Sequence, residues 1–179
     1  MNDDVMRRLE AFLRPYYQDL DGVSRFGEVE RIAAIARSLM PSPSPDEQRD
    51  LDLLLLFQGL PGWLDRMGHR TRTQLALGGA ITEEELRRTA AAVKRLDAPT
   101  TPAETAVAAA RVIDAAGVRG LAERFAHARR EGLSVVEIAR EELARPATIP
   151  EWMPDAAVPL IRQRRARREA MCRAIVEEG

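Results

Sequence analysis

Cysteine is almost missing from this 179-residue chain, Cys172 being the only one. That excludes an internal disulfide framework and any cysteine cluster for zinc or iron–sulfur. Metal ligands would therefore have to be histidine or carboxylate, and histidine is nearly as scarce, with His69 and His127 alone. No window approaches the roughly 18–20 uninterrupted apolar residues of a membrane span, which argues against a membrane protein. Neither sign of charge prevails: 27 basic and 28 acidic residues leave a net charge of −1. Counterion release from nucleic acid needs a basic face, so nucleic acid is not an expected partner. Lysine is confined to Lys94, the other 26 basic residues being arginine; this reads as the composition of a GC-rich genome and carries no function. Also lacking are a phosphate-cradling glycine loop, a Gly-x-Ser-x-Gly elbow and a dinucleotide fingerprint. The ordinary nucleotide enzymes are therefore not indicated.

What the chain does have is a globular balance, 45% apolar and 31% charged. Its length fits one compact domain with an appended helix, divided here as residues 1–145 and 146–179. Met1-Asn2-Asp3-Asp4 carries acid where a secretory signal or transit peptide would carry base, so a cytoplasmic location is expected.

Apolar residues recur at three- and four-residue spacing and alternating β-branched runs are absent, which makes the fold class all-α. A first helix is expected over residues 4–19, bent or ended by Pro15, and a second from Phe26 to Met40. Residues 41–45, Pro-Ser-Pro-Ser-Pro, cannot continue a helix. Asp46 opens a third helix through Leu51 to Phe57, apolar on every side and hence buried on every side. Residues 59–62 break it, a short helix follows near Trp63, and another runs from His69 to Leu77. Thr82 with Glu85, and Ser134 with Glu137, are capping boxes that open helices to Leu96 and Leu143. Between these lie helices over Ala103–Ala116 and Leu121–Arg130, joined tightly at Gly117 and Gly120. A proline-rich connection over residues 146–154 leads to a last helix over 156–178.

Two stretches and their separation resemble the HD superfamily, helical proteins described as metal-dependent phosphohydrolases. Residues 28–32, Glu-Val-Glu-Arg-Ile, resemble the family's segment of His, Val, any residue, Arg, Val, whose first residue is a metal ligand. Residues 53–60 resemble the buried helix that ends in the His-Asp doublet; here the doublet position holds Phe57 and Gln58. Residues 109–125, with Asp114, Gly117, Gly120 and Phe125, are similar to the segment in which an aspartate supplies the last ligand. Aligned on the glycines that position is Arg111; aligned on Glu104 it is Val112, and Asp114 is the acid of that stretch. The resemblance covers roughly residues 5–143 and implies an HD-like helical bundle with an additional Arg-rich helix at the carboxy end.

It also implies a dismantled metal site. The family's chemistry needs imidazole and carboxylates converging on a divalent ion that lowers the pKa of a bound water. Phenylalanine has no donor atom, glutamine is a neutral and weak oxygen ligand, and arginine brings a permanent positive charge. Neither a bound metal nor a cofactor nor phosphohydrolase activity is therefore expected.

Each candidate residue has a bland alternative. Glu28 is either a buried carboxylate able to act as a general base or an exposed acid at a helix start. Gln58 is a polar handle for a ligand or a helix-end residue, and Phe57 a stacking platform or core filling. Arg111 and Asp114, three residues apart, would either capture an anionic ligand or pair with each other. His69 falls where several HD families carry a further histidine and is the remaining acid–base candidate; otherwise it starts a helix. His127, beside Arg129 and Arg130, reads as part of a solvated face. The basic stretch Arg162, Arg164, Arg165, Arg167, Arg168 and Arg173 reads as a helix packing on the domain, on a second copy, or on a protein partner through residues 156–178.

The expected function is a metal-free module that binds a small organic or anionic ligand, with Phe57, Gln58 and Arg111 at the ligand. One rival is a metal-independent isomerase, cyclase or lyase using Glu28, His69 and Asp114. A second rival is a protein-interaction scaffold.

Overall fold

A computed structural model describes residues 3–17, 26–60, 62–130, 132–146 and 148–178, with the backbone alone at 127–130. Every regular element among the described residues is helical, as the periodicity requires. The order is α1 (Asp3–Leu13), α2 (Phe26–Leu39), α3 (Pro45–Phe57), α4 (Met67–Ala76), α5 (Glu83–Lys94), α6 (Pro102–Ala115), α7 (Val118–Arg130), α8 (Val135–Ala144) and α9 (Val158–Glu178). Short 3₁₀ turns lie at Arg14–Tyr17, Trp63–Asp65 and Asp155–Ala157. None of these helices is long and apolar enough to cross a membrane.

Local chemistry explains the boundaries. Ser44 accepts a hydrogen bond from the Glu47 amide while the Glu47 carboxylate takes the Ser44 amide, a reciprocal cap repeated at Thr82 with Glu85 and Ser134 with Glu137. Pro45, expected in the loop, is instead the first residue of α3, where its missing N–H costs nothing and its fixed φ is already helical. The first helix ends at Leu13 and tightens into the 3₁₀ turn containing Pro15; the expected residues 18 and 19 lie outside the described ones. Gly120, expected in a junction, sits in the first turn of α7. A Cβ there would fall 2.1 Å from the carbonyl oxygen of Ala115, so only glycine lets the chain turn back this closely.

The chain packs as two compact units, Met1–Ala108 and Ala109–Gly179. The division thus falls within α6, whereas the sequence reading divides the chain at residue 145. The reason it does not fall at the proline-rich connection is that α9 returns to pack on α8 and α7. In the first unit, α3 is the centre: every residue from Leu51 to Gln58 is buried. Leu53, Leu56 and Phe57 pack with Leu9, Leu13 and Tyr17 from the first segment and with Phe26 and Val29 of α2. In the second unit, Leu121, Ala139 and Cys172 form a small core, flanked by Phe125, Leu143, Ile175 and Val176. Cys172 is fully buried there, a small apolar residue as its type favours, and desolvation raises its thiol pKa above the usual value.

Candidate functional site

The structure divides the sequence-predicted residues between the two units. Glu28, Phe57, Gln58 and His69 belong to the first, and Arg111 and Asp114 to the second. Glu28 lies half-buried in the first turn of α2. Phe57 is 1% exposed at the last turn of α3 and packs in the main core. A void of about 10 Å³ beside it holds no more than about one water. Gln58 caps α3, its amide donating to the Leu54 carbonyl at 2.9 Å, and is buried.

Tyr17 lies against the end of α3. Its phenol donates to the Leu56 carbonyl at 2.5 Å, and its ring meets Phe26 edge-on at 5.5 Å between centroids. A Cβ on Gly59 would fall 2.6 Å from the ring carbon Cε1, so this glycine is the seat on which the ring lies. Burial, against the opposing backbone bond from Gly59 and with help from the Glu28 charge, pushes the phenol pKa well above its ordinary value. Tyr17 therefore stays protonated at any physiological pH and holds the end of α3 as a donor. Sequence reasoning missed this residue, because nothing local distinguishes Tyr17 from Tyr16.

His69 stands apart from that contact, near the start of α4. Its ring stacks on Trp63 with centroids 3.9 Å apart and planes 26° apart, and Nδ1 lies 3.1 Å from the Trp63 carbonyl oxygen. A carbonyl only accepts, so in this contact Nδ1 carries a proton. Trp63 in turn lies 4.1 Å from the Tyr16 ring. The histidine is thus built into an aromatic stack.

A groove of about 480 Å³ lies elsewhere in the first unit, between α1, α2 and α3. Met6, Phe26, Val29, Ala33, Leu55 and Leu56 give it an apolar floor. Asp52 also lines it and is only 7% exposed. Its carboxylate accepts from Gln48 Nε2 at 2.8 Å and lies 3.5 Å from an Arg37 guanidinium that is itself about half exposed. Asp3, Glu10 and Glu30, with Arg7, line the rest. The signal for Asp52 was in the sequence all along: it is the one acid inside the apolar run Leu51 to Phe57.

In the second unit, Arg111 is exposed on α6. Asp114 is 7% exposed and lies 3.6 Å from Arg164 of α9, so its ion pair reaches across to α9. Much of the basic stretch of α9 works in the same way. Arg164 reaches the Ile113 carbonyl at 3.4 Å, Arg168 the Ala115 carbonyl at 2.8 Å, and Arg165 the Arg145 and Pro146 carbonyls at 2.6 and 3.3 Å. These oxygens belong to the carboxyl ends of α6 and α8, which have no partner within their own helices and attract positive charge. Arg168 also donates to the carboxylate of Glu142, 6% exposed on α8, which Arg145 approaches at 3.3 Å and Arg124 at 3.7 Å. Arg162, Arg167 and Arg173 remain exposed.

Among the described residues no three His, Cys, Asp or Glu side chains are placed to share a metal ion. No protein-family model matches the chain, and neither a curated protein nor a solved structure is similar to it.

Proposed function

We propose that this chain is a small-molecule-binding module whose ligand lies in the groove between α1, α2 and α3. The observation that carries the reading is Asp52, a buried carboxylate set among apolar side chains in a groove of about 480 Å³. Ligand sites combine that range of volume, an apolar lining and one or two placed polar groups. The test is a thermal-shift screen of a small-molecule library, followed by titration calorimetry. A compound that binds the native state raises its stability, and Met6→Trp, which narrows the groove, is expected to abolish that rise. A hit whose affinity Met6→Trp leaves unchanged places the ligand elsewhere and overturns the reading.

The same proposal takes the first unit as part of a degenerate HD-type domain. It is supported by the seating of Phe57 and Gln58 at the end of a helix buried from Leu51 onward, with Tyr17 against that end and within the field of Glu28. Elemental analysis of the purified protein, with thermal shifts in Mn²⁺, Fe²⁺, Ni²⁺ and Zn²⁺, checks it. Stoichiometric metal with a specific shift would return the chain to the metal-dependent HD enzymes.

A further inference from the structure

We infer that the groove between α1, α2 and α3 selects an amphipathic monocation, an amine or similar positive head on a compact apolar body, with the head at Asp52. The inference rests on the groove being the ligand site and goes beyond it to the ligand's class.

Charge placement carries the argument. The lining holds four carboxylates, Asp3, Glu10, Glu30 and Asp52, against two guanidiniums, Arg7 and Arg37. The two signs are not placed alike. Both guanidiniums are solvated, with Arg7 77% and Arg37 55% exposed at the side chain, whereas the Asp52 side chain is 10% exposed. Water screens a rim charge and leaves a buried one strong. The strong charge is thus the negative one. Its partners are the neutral Gln48 amide at 2.8 Å and the half-exposed Arg37 guanidinium at 3.5 Å, both on the one oxygen Oδ1. Glu10 and Glu30 already share Arg14, at 2.7 and 3.4 Å, so they set the rim potential and leave Asp52 as the recognition group. An incoming ammonium would give Asp52 a charge-assisted hydrogen bond in low dielectric, while Phe26, Val29 and Leu55 cover the apolar body. An anion would meet the buried carboxylate before any unsolvated cation.

Three probes of matched shape test this by calorimetry on the full chain: 4-phenylbutylamine, 4-phenylbutanol and 4-phenylbutyrate. The amine is expected to bind at least about tenfold tighter than the alcohol, with butyrate weakest. Asp52→Asn is expected to erase the amine's advantage over the alcohol. Because removing a buried carboxylate can unsettle the fold, Arg37→Met is the second variant. It changes a half-exposed side chain, frees Asp52 from its competitor, and is expected to tighten the amine severalfold while leaving the alcohol unchanged. Equal affinities for amine and alcohol, or amine affinity unmoved by Arg37→Met and Asp52→Asn, overturn the charge selection and leave the groove standing. Tightest binding of butyrate, lost in Arg37→Met, overturns it in favour of an anion site. If none of the three binds folded wild-type protein, or all survive Met6→Trp, the groove itself is refuted as the site.

Discussion

Replacing Gly59 by alanine tests the seat of Tyr17 most directly, because two effects of opposite sign compete. Gly59 does not have a positive φ, so alanine can adopt its backbone. If that were all, the substitution would stabilise the protein by about 0.4–1 kcal/mol through the lost freedom of the unfolded chain. The added methyl, however, would lie 2.6 Å from Tyr17 Cε1 and 3.3 Å from its hydroxyl. The ring cannot easily yield: it is held by Phe26 and by its bond to the Leu56 carbonyl. Overpacking of this kind costs about 1–3 kcal/mol, so the net expectation is a loss of about 1–2 kcal/mol. Urea denaturation followed by far-UV circular dichroism measures it. The decisive comparison is a double-mutant cycle. In a Tyr17→Phe background the ring edge remains and Gly59→Ala should cost the same. In Tyr17→Leu the ring is gone and the substitution should turn neutral or stabilising. Stabilisation by Gly59→Ala in the wild type, or an unchanged cost in Tyr17→Leu, would refute the placement of Tyr17 at the end of α3.

The same phenol gives an alkaline signature. Its pKa is raised in the folded state, so its contribution is complete below the unfolded value near 10 and is lost as pH rises beyond it; Tyr17→Phe should flatten the fall in Tm above about pH 10. At the acid end, burial raises the Glu85 pKa, but hydrogen bonds from Arg49 and from the amide and hydroxyl of Thr82 override it and bring it to about 2. That stabilisation is present above the unfolded value near 4.5 and is lost as pH falls toward 2, so Glu85→Gln should shallow the acid limb of a Tm-against-pH curve. Gly120→Ala, with its Cβ 2.1 Å from a backbone oxygen that cannot rotate away, should cost about 3 kcal/mol or more in urea unfolding. Arg168→Met removes donors from both the Glu142 carboxylate and the Ala115 carbonyl and should cost about 2–4 kcal/mol by the same measure, most of it recovered when Glu142→Leu is added.

Local signals made the helices legible. Serine or threonine followed three residues later by glutamate, proline at a helix start and the three-to-four spacing of apolar side chains all act within one or two turns. The sequence therefore determined the all-helical class and the caps at Ser44, Thr82 and Ser134 by itself. It also marked α3 as the buried centre, since a helix apolar all round has no face to give to water.

Tertiary structure alone decided what the charged and aromatic residues do. Asp52 was visible as an acid in an apolar run, yet its facing a groove depends on how α1 and α2 lie against α3. Tyr17 became the partner of Leu56 and Gly59 through a contact 39 residues away in sequence, and no periodicity encodes that. Asp114 reads in the sequence either as steering an anionic ligand with Arg111 or as pairing with it; the structure also sets it against Arg164, 50 positions on, because α9 returns beside the end of α6. By sequence the arginines of α9 leave open whether that helix packs on its own domain or on a partner, and in part they turn inward to the carboxyl ends of α6 and α8. A helix end needs some cation, but which cation answers it depends on which helices are brought together, and that is set by packing of the whole chain rather than by any local pattern.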